Sequence, residues 1–421
     1  MAIDDTAVTE TTEAVEAGAQ NPGGCPVMHE DFSRMRAVGS HWQWADELRE
    51  GSPVYFNTFA QGYWIFTRHD AVRDIYKTPE VFSSESFTPW EPEPIYRFVP
   101  TQIDAPDHIK YRRILNPWFS PRAMDDAEPM MRELCRKLVD ATARAGSCNF
   151  VNDFALRFPT VAFLAVIGAD TADADMFVRW VEDFFAGLGG GPDTLEPMAK
   201  ALEGIREYWV RVLDERRDDP APREGDLASH LMHSSFDERP LTDAEILDML
   251  TVLVLAGLDT TRAELGYMFR HLATHSEHRL ALIDAPQLIP SAVEEVLRYY
   301  TIVFGDGRKV TRDLEFHGVQ LMRGDMVYGL VSGANRDPRA YEHADQFIPD
   351  RRRNNHMGFA SGPHRCLGQH LARREMQIAV EEWLRVIPEF RIAGDEPDLV
   401  ERGGGSMMTL LDLPLEWEAK S

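Results

Sequence analysis

The chain has 421 residues, 44% of them hydrophobic and 27% charged, with a formal net charge of −25. A chain of this length buries a sizeable core, and its strong negative charge disfavours nucleic acid and anionic membrane as partners, because both repel an acidic surface. The four cysteines, Cys25, Cys135, Cys148 and Cys366, match no zinc spacing and no CxxC motif, which points to a reducing, cytoplasmic setting and not to a disulfide framework.

Residues 1–30 open with "MAIDDTAVTETTEAVEAGAQNPGG", acidic, polar and without an apolar h-region. They read as a disordered tail and not as a signal peptide, ahead of one large domain over 31–421. "SPVYFNTFAQGYWIFTRHD" (52–70) reads as two strands around a Gly/Gln turn. Residues 83–106 carry five prolines together with Phe87, Trp90, Tyr96 and Phe98, which forbids a regular helix. Two readings stand for this loop: a functional segment over a cavity, or a surface loop with aromatics tucked inward.

From 107 to about 275 the pattern is helical, with breaks at "SPRA", "GLGGGPD" and "DDPAPREGD". "GLGGG" (187–191) lacks the Lys-Ser/Thr of a phosphate loop, so it is a helix connection or a lid hinge. Residues 241–275 read as one very long helix, opened by a capping box of Thr242 and Glu245. Its apolar run "MLTVLVLAGL" (249–258) is too short to span a bilayer. A helix at "SAVEEVLRYY", short strands through "LEFHGVQLMRGDMVYGL" and a last helix at "GQHLARREMQIAVEEWLRV" follow. The fold class expected is mainly α with small β-sheets.

Two stretches carry chemistry. In "GFASGPHRCLGQ" (358–369), Cys366 precedes a helix start, where free N–H groups and the helix dipole favour a thiolate. Gly368 allows a flat partner to approach, and Phe359 is placed to pack over the sulfur. This suits a thiolate ligand to iron in a flat macrocycle; the rival is a nucleophile with His364 as base, which sits too near in sequence for good geometry. In "VLAGLDTTRAE" the apolar run breaks at Gly257, Asp259 and Thr260. Ala256 and Gly257 form a notch for a small ligand. The Thr260 hydroxyl is in reach of the Ala256 carbonyl, and Asp259 either feeds protons to it or faces water at a bundle edge.

Taken together, these stretches resemble the cytochromes P450. "FASGPHRCLG" (359–368) is similar to their cysteine loop, with Ala360 where glycine is common, and "AGLDTT" (256–261) to their oxygen-binding helix. Glu295 and Arg298 of "EEVLR", Arg351 of "ADQFIPDR" and the segment "GANRDP" complete the likeness. The resemblance implies the P450 fold, a haem b (iron protoporphyrin IX) held by Cys366, and insertion of one oxygen atom from dioxygen into a C–H bond, with protons passing Asp259 and Thr260. It implies propionate contacts from His108, Arg112, Arg308 and His364, and a structural ion triad of Glu295, Arg298 and Arg351.

Electrons would come from a ferredoxin and its NAD(P)H-dependent reductase. The ferredoxin would dock on a basic face of Lys110, Arg112, Arg113, Arg353, Arg365, Arg373 and Arg374. Segments such as "YRFVPT" and "CLGQHLARRE" resemble the camphor hydroxylase branch. That implies a compact hydrophobic substrate, such as a terpenoid, against Phe87, Val252, Leu255, Val303 and the Met407–Met408 pair, with Tyr96 donating a hydrogen bond to it. "TIVFGDGRKV" (301–310) is one residue longer than that branch's segment, which speaks against camphor itself. The alternatives are a peroxide-driven peroxygenase and a haem-thiolate sensor or carrier without turnover.

Overall fold

The apolar stretch in the middle of the chain organises the rest. The computed structural model describes residues 24–32, 37–94, 96–187, 192–394, 399, 401–403 and 407–419, and folds this stretch into one helix of 32 residues, Asp243–Thr274. At about 1.5 Å per residue it is about 48 Å long. The capping box forms as the sequence predicts: Thr242 Oγ1 accepts from the Glu245 amide, and Glu245 Oε2 accepts from the Thr242 amide at 2.8 Å. Hydrogen bonds from Arg239, Tyr111 and Thr242 hold the Glu245 carboxyl well below the usual carboxylate range, against its partial burial.

Helices Arg157–Ile167, Ala174–Gly187 and Pro192–Arg216 pack on this central helix from one side, and Ile289–Tyr299 and the cysteine-loop helix Gln369–Val386 from the other. Of the connection "GLGGG" (187–191), read as a helix link or lid hinge, Gly187 ends the helix Ala174–Gly187, and 188–191 lie outside the described residues.

Sheet structure is confined to one end and to small ribbons. The largest sheet has six strands in the order Val27–Met28, Val54–Asn57, Tyr63–Phe66, Met326–Gly329, Asp306–Val310 and Phe82–Ser83. Val54–Asn57 and Tyr63–Phe66 are the hairpin predicted at 52–70, in antiparallel register Val54↔Phe66 to Asn57↔Tyr63. Val27–Met28, inside the stretch assigned to the tail, instead adds a parallel edge strand to Val54–Asn57; residues 1–23 lie outside the described residues.

After Ser83, which ends the strand Phe82–Ser83, the described residues of the segment 83–106 form a loop without helix or strand. Its Phe87 carbonyl accepts the Gly307 amide at 2.7 Å, which ties the loop to the strand carrying Arg308. No helix among the described residues is long and apolar enough to cross a membrane.

The ion triad is buried and complete. Arg298 donates to both oxygens of Glu295, at 2.9 and 2.7 Å, and spends its remaining N–H groups on the carbonyls of Asn335, Ala344 and Gln346. Arg351 Nε adds a contact to Glu295 at 2.9 Å. These bonds pin the chain that leads into the cysteine loop.

Candidate active site at the cysteine loop

The cysteine loop is shaped by two left-handed residues. Gly362 has φ +71°, and a Cβ there would stand 2.3 Å from the Tyr76 carbonyl oxygen, so only glycine fits. Ala360 also has φ +56°, which explains why glycine suits that position and what small strain alanine accepts. The Cys366 amide donates to the Phe359 carbonyl at 2.9 Å and closes the loop. Phe359 is buried, and the Arg373 guanidinium lies over its ring at 4.5 Å.

The Cys366 thiol differs from the sequence expectation in one respect. Although Cys366 is exposed on the open side of the loop, desolvation by the protein around it pushes the thiol up, and this outweighs the Gly368 N–H and the positive charges of Arg112, Arg373 and Arg365, which pull it down. Helix-terminus and arginine stabilisation therefore assist a thiolate but do not alone produce one. A positive metal centre would.

Four basic residues from separate segments converge beside this loop. His108 and Arg112 come from the helix Asp107–Leu115, Arg308 from its strand, and His364 from the turn before Cys366. The imidazoles of His108 and His364 stack with centroids 3.8 Å apart. Burial, then the neighbouring positive groups His108, Arg308 and Arg112, push His364 down to about 3; burial and Arg112 push His108 down to about 4. Arg112 is held by the Arg365 carbonyl at 2.9 Å, and Arg308 by the Gly307 carbonyl at 2.6 Å and the Tyr76 ring at 5.1 Å. Among the described residues the one carboxylate in ion-pair range of either arginine is Asp306, 4.0 Å from Arg308.

Two arginines with little compensating charge, beside two imidazoles held neutral, are costly by themselves and suit a ligand that brings carboxylates. Gly368 has open space where a Cβ would stand. A soft thiolate ligand, a carboxylate-seeking cradle and a flat approach are what a haem requires, so the donor set fits the group.

On the central helix, Val252, Ala256 and Thr260 recur every four residues and form its open stripe; Ala256 is exposed although the residues around it are mostly buried. Thr260 Oγ1 donates to the Ala256 carbonyl at 2.8 Å, the bond that the spacing predicts. Its lone pairs stay available at the open face. Two placements correct the sequence reading. A Cβ on Gly257 would meet the Phe163 ring at 2.5 Å, so this glycine admits a neighbouring helix and does not widen the notch. Leu255 is buried in the core, because it lies 100° around the helix from Ala256.

Asp259 is buried and faces Arg262, one turn on, at 3.4 Å; Arg262 in turn binds Glu182 on Ala174–Gly187 at 2.9 Å. Glu182 is 40% exposed. A chain of charged groups thus runs from the flank of Thr260 to the surface, and the bundle-edge reading of Asp259 is set aside. Arg262 was visible as an i+3 partner; Glu182, a helix away, was not.

Tyr96 is not free to serve a substrate as the sequence suggests. Its hydroxyl donates to Glu91 Oε2 at 3.2 Å, and the Thr88 side chain hydrogen-bonds the Tyr96 hydroxyl. Burial and Glu91 push the phenol up, and burial pushes Glu91 up as well. The ring packs with Phe87, Phe98 and Phe184 at 4.9–6.3 Å. Val303 pairs with Met407 through an isolated bridge, while Met408 is fully buried.

The basic face is also partly spent. Lys110 pairs with Asp107 and Asp237, Arg373 with Glu294, and Arg374 with Asp125 and Glu128.

Comparison with known proteins agrees with this geometry. The family model "Cytochrome P450" matches residues 61–285 and 279–409. A mycinamicin IV hydroxylase/epoxidase of Micromonospora griseorubida is 32% identical over 379 residues, 88% of this chain and 94% of that protein. A steroid C26-monooxygenase of Mycolicibacterium smegmatis is 31% identical over 353 residues, 83% and 86% of the two chains. The crystal structure of CYP101J2 superposes with a TM-score of 0.84 at 29% identity, covering 95% of this chain and all of that one. The chain therefore belongs to the cytochrome P450 family, and it is a haem b-dependent monooxygenase.

Proposed function

We propose that this P450 hydroxylates a compact hydrophobic molecule in the cytoplasm, drawing electrons from a ferredoxin. The observation that carries the reading is the intact alcohol–acid arrangement, with Thr260 at the open stripe and Asp259 linked through Arg262 to Glu182. A sensor or carrier has no use for a proton route, and a peroxide-driven enzyme brings its protons with the oxidant.

Haem, bound at Cys366, supplies dioxygen activation and oxygen insertion. The protein's part is to hold protons near Thr260, keep bulk water away with apolar walls, and fix the substrate close to the reacting centre. Phe87, Val252 and Val303 support a hydrophobic substrate such as a terpenoid. The relatives are named for quite different substrates, so likeness supports the reaction and leaves the substrate to the pocket. Because the Tyr96 phenol already donates to Glu91, the polar group that suits this wall is a hydroxyl, which can donate, and not a ketone, which cannot.

For the ferredoxin, support comes from Arg113, Arg353 and Arg365, which are exposed and have no carboxylate partner among the described residues. Turnover measured with ferredoxin and NADH, with peroxide alone, and with neither separates the three functions. Product in the first arm only supports the proposal; product with peroxide alone at equal rate contradicts it. Charge reversal at Arg113 and Arg365 should weaken ferredoxin-driven reduction and its dependence on ionic strength, leaving reduction by dithionite unchanged.

A further inference from the structure

One buried face of the central helix is polar well beyond Thr260. Ala256, Thr260, Glu264, Tyr267 and His271 recur at helical spacing; at 100° per residue all lie within about 40° of Thr260. Glu264, Tyr267 and His271 are buried, at 5%, 0% and 2% exposure. Such a stripe in a core helix is costly unless its groups find partners.

Tyr267 and Glu264 find theirs on other buried segments, one of which meets the half-buried Gly39. The Tyr267 hydroxyl donates to Glu401 Oε1 at 3.0 Å. Glu401 Oε2 accepts the Gly39 amide at 3.2 Å and lies 3.6 Å from His41 Nδ1. Glu264 accepts the backbone N–H of Ile302 with its carboxyl, but its Oε2 has no hydrogen-bond partner. An orphaned buried oxygen of this kind is destabilising, a cost that a purely structural residue would not need to carry. One helical turn, about 5–6 Å, separates it from the Thr260 level, a span that suits a single bridging water.

We propose that Glu264 is a second proton-holding group for the reaction, one turn behind Thr260, resupplied from the surface near Gly39 through Tyr267 and Glu401. This rests on the monooxygenase reading of the Thr260 face. In the step, the Glu264 carboxyl O–H gives its proton to a water hydrogen-bonded to Thr260. The Tyr267 hydroxyl, turning from Glu401, gives its proton to the carboxylate left behind and accepts one from the protonated Glu401 carboxyl, which is reprotonated from solvent. One proton moves inward, and no electrons are transferred. The titratable group that acts with Glu264 is Tyr267 on the same helix; beyond it, Arg270 acts on both Tyr267 and Glu401, and His41, on the helix His41–Gly51, faces Glu401. Burial pushes the Glu264 carboxyl up to about 8, so near neutral pH it stores its proton.

The test uses the haem-loaded protein and the variants Glu264→Gln, Tyr267→Phe, Glu401→Gln and Thr260→Ala. Infrared difference spectra across a pH titration should show a carboxylic-acid band that vanishes near pH 8 and is missing in Glu264→Gln. In Tyr267→Phe and Glu401→Gln the band should persist, with exchange into deuterium oxide slowed about tenfold or more. Coupling of NADH to product should decline above pH 8 in the wild type and be low and flat in Glu264→Gln.

A band that survives in Glu264→Gln overturns the proposal, as does unslowed exchange in both supply variants. If Thr260→Ala uncouples and Glu264→Gln does not, the second group fails while the monooxygenase reading stands. If neither uncouples, the monooxygenase reading fails with it.

Discussion

Glu295→Gln is the substitution whose cost the structure specifies most fully. Glu295 and Arg298 are both fully buried. The carboxylate receives Arg298 Nη2, Ile348 N and Arg351 Nε on Oε1, at 2.7–3.0 Å. Oε2 receives Arg298 Nε, Arg351 Nε and Asn354 Nδ2 at 2.9–3.0 Å. Glutamine keeps the volume, but its NH₂ must face at least one of these donors, and the charge opposite Arg298 is gone. Removing one partner of a buried ion pair costs about 3–5 kcal/mol, roughly two to four decades in the folding equilibrium, out of a total of about 5–15 kcal/mol. Arg351→Lys keeps a positive charge at the outer, 7% exposed position and should cost about 1–2 kcal/mol. Urea unfolding of the haem-saturated proteins, followed by far-ultraviolet circular dichroism, gives both numbers. A loss below about 1 kcal/mol for Glu295→Gln, or one smaller than that of Arg351→Lys, would refute the reasoning.

Further predictions concern the site. Thr260→Ala should uncouple the reaction, with NADH consumed, peroxide released and product reduced, and Asp259→Asn should slow proton-dependent turnover by about a hundredfold; unchanged coupling removes Thr260 from the proton route. Burial raises the Glu294 carboxyl, but hydrogen bonds from His356 and Arg373 overcome this and hold it down to about 2. Its folded value lies below the unfolded one, so its stabilisation is complete above the ordinary carboxylate value of about 4.5 and is lost as pH falls toward 2. Glu294→Gln should therefore be less stable than wild type at neutral pH, with a shallower acid limb, and parallel acid limbs would contradict this. Spectral titration with matched alcohol and ketone terpenoids should favour the alcohol in wild type, and Glu91→Gln should narrow the difference; tighter ketone binding by wild type would sink the assignment of the Tyr96–Glu91 pair.

What was legible in the sequence follows from how local the signal is. The central helix, its capping box and the hairpin at 54–66 are set by neighbours within four residues or by one turn, and they stand where the pattern puts them. The bond from Thr260 to Ala256 is likewise an i, i+4 event. The misreadings come from contacts made across the fold. Gly257 looked like part of a notch, but Phe163, nearly a hundred residues away, fills that side. Leu255 was one residue off the open stripe, a distinction the helix phase decides only once the open face is known. The Tyr96 phenol looked available, and its partner Glu91 sits five residues back in a loop whose path no periodicity specifies. The basic face counted charges but not their partners: Asp107, Asp125, Asp237 and Glu294 are scattered in sequence and come together only in the fold. The helix start carries the local signal at Cys366, while the larger influence, desolvation by the surrounding protein, belongs to the assembled loop.

The claim beneath all of this is that the Cys366 sulfur ligates haem iron. The carbon monoxide difference spectrum of the reduced, haem-loaded protein reads that bond directly when wild type is compared with Cys366→Ser at equal haem content. The account predicts the thiolate-type Soret band in wild type and its loss in the variant; the same band in both proteins would contradict it.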